Sequence, residues 1–219
     1  MKYSHPQKFD PKKLHSLNIN VQAISLIPPK SKILEIGCAD GFIGEYLINE
    51  KECEVVGVEK DPEAAKKAEK RGLKMIKGDI EEKSTFEKLL KFGKFEVILA
   101  TSVIEHLKDP GKVLRELKDF LKKDGFLVVS TSNIVHWSAR IKILMGKFEY
   151  EDYGLFDNTH LRFFTPKTFK KLIEDSGYKV DYFSFDSVGG GYPKISRFFS
   201  LFFPNLFGYQ MLIKGVKNA

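Results

Sequence analysis

Cysteine is scarce in this 219-residue chain, with Cys38 and Cys53 the only two. Neither stands in a C-x-x-C pair or a Cys/His cluster, which excludes a disulfide framework and a cysteine-based metal site. No apolar stretch follows Met1-Lys2-Tyr3-Ser4-His5-Pro6, so a signal peptide is not expected, and a reduced, cytoplasmic setting fits best. The chain has no internal repeat, no low-complexity tract and no Pro/Gly-rich linker, so residues 1–219 are expected to form a single domain. Long blocks of one charge are missing as well. The net charge of +7 comes from lysines interleaved with acids, as in Lys66-Lys67-Ala68-Glu69-Lys70. That is the pattern of a solvated surface, and no nucleic-acid partner is expected. Lysine and glutamate dominate the charged residues, a bias shared with thermophilic proteins.

What is present is an alternation of short apolar runs and helix signals. Strands are expected at 32–36, 54–59, 73–77, 95–100 and 125–131, each rich in Val, Ile, Leu or Phe. A leading helix is expected within 16–27, ended by Pro28-Pro29. Asp61-Pro62 and Asp109-Pro110 each put an N-cap acid before a proline at the first helical position. Ser84-Thr85-Phe86-Glu87 reads as a capping box, and Thr165-Pro166 opens a helix that Gly177 closes. After residue 132 the rhythm fails until two late strands, Lys179–Phe185 and Tyr209–Val216. Alternating β and α units mean a parallel sheet covered on both faces, with ligands at the carboxyl ends of its strands.

The most informative segment is Ile33-Leu34-Glu35-Ile36-Gly37-Cys38-Ala39-Asp40-Gly41-Phe42-Ile43-Gly44. A strand runs into a loop of small residues at a helix N-terminus, and Glu59 closes the next strand. This combination makes a nucleotide site. A dinucleotide fingerprint from Gly37 needs glycine at 39 and 42, where Ala39 and Phe42 stand. An NAD-dependent oxidoreductase is therefore disfavoured.

The actual pattern, E-x-G-x-A-x-G, resembles the first motif of the class I S-adenosylmethionine (SAM)-dependent methyltransferases, in particular a small-molecule subgroup. The resemblance covers most of residues 30–185. It implies a Rossmann-like, doubly wound seven-stranded α/β sheet, mostly parallel, with one antiparallel strand inserted beside the sixth. It also implies a leading helical segment 1–29, a cofactor-binding half 30–132, a lid at 133–164 and a C-terminal part 165–219. By the same resemblance, Gly37, Ala39 and Gly41 admit the cofactor tail, and Glu35 accepts from its ammonium. Glu59 takes the ribose hydroxyls, while Asp79 and Ile80, after Gly78, hold the adenine.

Ala100-Thr101-Ser102-Val103-Ile104-Glu105-His106-Leu107 resembles the family's fourth motif, with Ala100 beside the cofactor. Many relatives carry an aspartate near Ala100 or Thr101, and its absence here keeps open a non-catalytic SAM-binding partner subunit. On the acceptor side His160, His136 and His106 are the general-base candidates, because an imidazole titrates near ~6.5. Arg140 and Arg162 suit a carboxylate or phosphate, or else Asp157 pairs with Arg162 in a lid network. The expected reaction is in-line methyl transfer to a small-molecule hydroxyl. Residues 195–213 are rich in phenylalanine but interrupted by Arg197, Pro204, Asn205 and Gly208, which argues against a membrane span. A pocket wall, a homodimer face or a peripheral membrane contact are the uses considered for them.

Overall fold

Strands that are apolar on both faces need helices on both sides, and the computed structural model of this chain has that arrangement. It describes residues 10–186, 198–200 and 202–218. In chain order the main elements are α1 (Ile19–Ser25), β1 (Lys32–Ile36), α2 (Phe42–Lys51), β2 (Glu54–Glu59), α3 (Pro62–Lys70) and β3 (Lys74–Lys77). Then come α4 (Lys83–Leu89), β4 (Phe95–Thr101), α5 (Pro110–Leu117), β5 (Leu121–Ser132), α6 (Trp137–Leu144) and α7 (Pro166–Asp175). The chain ends with β6 (Tyr178–Asp186), the short α8 (Pro204–Phe207) and β7 (Gln210–Lys217). The seven strands lie in the order β3-β2-β1-β4-β5-β7-β6. All neighbours are parallel except β7, which runs antiparallel to both β5 and β6. This is the expected doubly wound sheet with its one inserted antiparallel strand.

Alternation along β1 divides the core. Leu34 and Ile36 face a cluster with Leu114, Phe169 and Ile173, while Ile33 faces Ile24, Leu47 and Ala68 on the other side. Burying side chains of this size stabilises by about 1.5–3 kcal/mol each before entropy is counted. Strand order reverses between β1 and β4, so a crevice opens at their carboxyl ends. None of the helices among the described residues is long and apolar enough to cross a membrane.

Local signals fared well where the chemistry is local. Asp61 caps α3 by accepting from the Glu63 and Ala64 amides, and Asp109 caps α5 through Lys112. Thr165 forms a capping box with Thr168, and Gly177 follows α7 at φ +87°. The capping box at Ser84 is a correction. Helix α4 begins two residues earlier than a Ser84 cap allows; Glu82 at its N-cap makes no side-chain cap bond, and Ser84 instead donates its hydroxyl to the Glu82 carboxylate at 3.3 Å. The reason lies beneath it. Thr85 is fully buried, and a Cβ on Gly78 would stand 2.6 Å from its hydroxyl oxygen. Packing against the loop after β3 thus fixes the helix start. Residues 133–164 form an excursion whose ends meet, since the Ile134 amide donates to the Phe164 carbonyl at 3.0 Å.

Candidate active site

The loop after β1 is shaped by backbone conformations that most residues avoid. Gly37, Ala39 and Gly41 have φ of +62°, +49° and +81°, the left-handed region where glycine carries no penalty and alanine a small one. Space is the second constraint. A Cβ on Gly37 would lie 2.6 Å from Val103 Cγ2, and one on Gly41 2.8 Å from Ala68. The Gly37–Val103 contact brings the β1 loop against the segment after β4. Helix α2 starts at Phe42 with Gly41 as its N-cap and no side-chain cap bond, so its first amides point into the crevice.

Glu35 lies beneath this loop, 3% exposed, with Oε2 lacking a hydrogen-bond partner. Burial pushes its carboxyl up to about 8, with the charges of Asp40 and Glu59 adding and the Gly44 amide opposing. Glu59 sits half-buried at the tip of β2. Its Oε2 accepts from the Ala39 amide and its Oε1 from the Asp61 amide, both at 2.9 Å. The acid therefore staples the glycine loop to the start of α3, a duty that spacing alone did not reveal. A second staple was also missed: buried Asp40 pairs with Arg71 at 3.3 Å, and Arg71 with Glu45 at 2.6 Å.

Asp79 follows β3, half-buried, and its Oδ1 accepts from the Glu81 amide at 2.9 Å. Ile80 and Ala100 are different. Both are core residues, 5% and 2% exposed, so neither shows much side-chain surface to the crevice. At Ser102 the chain turns sharply, with φ +53°. Its amide donates to Ser130, and its hydroxyl accepts from Gln210 Nε2 at 3.1 Å.

The three candidate histidines separate clearly. His136 is fully buried and caps α6: its Nδ1 accepts from the Ser138 amide at 3.3 Å and lies 2.8 Å from the Ser138 hydroxyl. Burial holds it down to about 4. The expectation of a base at His136 meets a sealed side chain committed to a helix end, away from the other two histidines. His106 and His160 meet instead, ring centroids 4.9 Å apart, both partly exposed. A carboxylate oxygen of Glu105 and one ring nitrogen from each of these histidines lie within 4.8 Å of one another. The expected Asp157–Arg162 pair does not form. Arg162 donates to the Lys108 carbonyl and Asp157 accepts from Thr159, while Arg140 donates to the Val135 carbonyl at 2.6 Å.

Two buried acids with raised pKa make a stability prediction. Glu35 goes to about 8 and Glu105 to about 7, from 4.5. The folded state therefore holds these protons more tightly than the unfolded chain does. Their contribution is complete below about 4.5 and is lost as pH rises through 7 and 8. Melting temperature of the ligand-free protein should fall between pH 5 and pH 8, and Glu35→Gln should flatten that slope. An unchanged slope in the variant would count against Glu35 as its source.

A protein family described as Methyltransferase domain (Methyltransf_23) matches residues 12–182. The chain belongs to this methyltransferase family. It is similar to a ubiquinone biosynthesis O-methyltransferase of Azorhizobium caulinodans, 31% identical over 166 residues, covering 72% of this chain and 63% of that protein. The corresponding protein of Bartonella quintana is 30% identical over 187 residues, covering 82% and 72%. The chain thus spans less than two thirds of the A. caulinodans relative. Among solved structures it resembles a SAM-dependent methyltransferase from Archaeoglobus fulgidus, with TM-score 0.63, 20% identity and 90% of each chain covered. The [4+2]-cyclase SpnF aligns with TM-score 0.62 and 12% identity over 92% of this chain and 81% of that one. At such identities these likenesses concern the fold. Family membership brings SAM as the cofactor and displaces the nicotinamide alternative.

Proposed function

We propose that this methyltransferase moves the methyl group of SAM to a hydroxyl of a small-molecule acceptor. The observation that carries this reading is the His106–His160 pair, tied to the cofactor loop by the Gly37–Val103 contact. The loop suits SAM on its own geometry. Gly37 and Gly41 leave a cradle that a Cβ would fill, and α2 presents the positive end of its dipole to a carboxylate. The orphaned Oε2 of Glu35 awaits a donor such as an ammonium, and Glu59 keeps lone pairs for two ribose hydroxyls. Asp79 would accept from the adenine amine. SAM supplies a sulfonium that is already an activated leaving group, so the protein contributes position and proton removal.

The names of the ubiquinone-pathway relatives support oxygen as the methylated atom. Residues 133–164, pinned together at their ends, serve as the lid of a single domain. Phe198, Phe202 and Phe203 are exposed, as are Leu144 and Met145 of α6, and such apolar surface suits an acceptor, a second copy or a lipid surface. Residues 195–197 and 201 of the aromatic stretch lie outside the described residues. The cytoplasm remains the proposed location.

The test is transfer of label from methyl-labelled SAM to catechol, phenol and amine probes. Label in an aryl ether supports the proposal, whereas label confined to amines overturns it. Tight SAM binding with no transfer favours the non-catalytic partner, a reading kept by the missing acid at Ala100 and Thr101. Glu59→Ala should weaken SAM binding by about 1.5–3 kcal/mol for the lost charged hydrogen bonds. Loss of the Ala39 staple adds to this. Unchanged affinity by calorimetry in a folded variant would remove Glu59 from the site.

A further inference from the structure

The turn Ile104–His106 and the segment 157–162 are far apart in sequence, yet they share one polar assembly. His106 Nδ1 lies 3.1 Å from the Thr159 carbonyl oxygen and 3.1 Å from the Thr159 hydroxyl. A carbonyl can only accept. The Thr159 hydroxyl gives its own hydrogen to Asp157 Oδ1 at 2.6 Å, so it too offers Nδ1 a lone pair. Both partners therefore require the proton on Nδ1, and neutral His106 keeps its basic lone pair on Nε2. Asp157 is 2% exposed and also accepts from the Thr159 amide at 2.8 Å. It is fixed, and it fixes Thr159.

Glu105 stands on the other side. It is 1% exposed, and its carboxylate oxygens make no well-formed hydrogen bond, although the Thr131 hydroxyl and the Ser132 amide stand near it. Its backbone carbonyl accepts the Leu161 and Arg162 amides at 2.8 and 3.0 Å, which locks the two segments together. A buried carboxyl this poorly paired, set against two imidazoles, is costly unless a positive charge arrives beside it.

Resting on the hydroxyl-methylation reading above, we propose that Asp157, Thr159 and Glu105 are positioning residues that make His106 the proton acceptor of the transfer. Asp157 and Thr159 hold the ring in the Nδ1–H tautomer, and Glu105 balances the imidazolium that forms. The acceptor oxygen bonds to the methyl carbon as the carbon–sulfur bond breaks, its electron pair going to sulfur. The O–H proton passes to His106 Nε2 and then to water, which the partly exposed ring can reach. His160 forms the second wall of the assembly. The ionisable groups around Glu105 are Asp157, His106 and His160. Burial first, then the Asp157 charge, hold Glu105 up near about 7, against the Thr131 hydroxyl and Ser132 amide. Activity should accordingly rise with pH through that value as the carboxylate forms.

Nitrogen-15 NMR of the histidine rings in the full chain tests the assembly without any acceptor. The expected wild-type signature is Nδ1–H at His106. In Glu105→Gln, which keeps the volume, the His106 titration midpoint should move down by about one pH unit or more. With a catechol acceptor, Thr159→Val should lower kcat about 10²-fold with KM for SAM unchanged, and Thr159→Ser should restore it. An Nε2–H tautomer in the wild type, or a midpoint unmoved in Glu105→Gln, overturns the proposal. So does activity lost on chelation and restored by Mg²⁺ or Zn²⁺, because the cluster would then be a metal site. If the NMR signature holds and no probe is methylated, the hydroxyl-methylation reading fails and the ring assembly stands.

Discussion

A Gly37→Val protein is expected to bind SAM at least about 10²-fold more weakly than the wild type. Two costs combine. The backbone at Gly37 has φ +62°, and holding a β-branched residue there costs roughly 1–3 kcal/mol. The new Cβ would also press on Val103 Cγ2 at 2.6 Å, and overpacking of this kind costs about 1–3 kcal/mol more. The loop relieves the overlap by moving, and the crevice moves with it. A partial rescue separates the two causes. Val103 Cβ is 3.6 Å from the ideal Cβ position, an ordinary contact. Gly37→Ala combined with Val103→Ala should therefore bind SAM better than Gly37→Ala alone. Equal affinities in the two proteins would mean that backbone strain, not the contact with Val103, governs the loop. Wild-type affinity in Gly37→Val itself would remove the loop from the site.

This contact also marks where sequence reasoning stops. The glycine loop, the acid at Glu59 and the helix starts at Asp61, Asp109 and Thr165 were legible because each depends on a few adjacent residues. Their chemistry is set by local backbone geometry. Glu59 still hid half of its work, since nothing in its spacing says that its oxygens hold the Ala39 and Asp61 amides. The acceptor side was far less legible. His106 meets Thr159 across 53 positions, and only tertiary packing decides that His136 faces inward as the α6 cap while His160 faces His106. Arg162 lies near Asp157 in sequence, yet it is drawn away to the Lys108 carbonyl on another loop. Glu105 was visible only as part of a motif; its burial, which gives it interest, is a property of the assembled sheet.

Removing the His106 ring should produce the largest kinetic effect. His106→Ala is expected to lower kcat for a hydroxyl acceptor by about 10²–10⁴-fold, the range for loss of a general base. SAM affinity should change little, because the ring handles the proton of the acceptor and not the sulfonium. Thr159 and Asp157 leave Nε2 as its basic nitrogen, so the acid limb of the pH–rate profile should disappear with the ring. His160→Ala should cost less, since that ring packs edge-on against His106. His136→Ala should act on stability instead. It removes a buried cap from α6, worth about 0.5–2 kcal/mol before cavity terms, and any loss of turnover should track the fraction unfolded. Side-by-side assays of the three variants with one acceptor decide between the rings. Full turnover in His106→Ala alongside a collapse in His160→Ala would transfer the proton to His160 and reduce His106 to a packing residue. Loss of SAM binding in His106→Ala would show the ring supporting the cofactor loop through the Val103 turn, and proton transfer would need another acceptor.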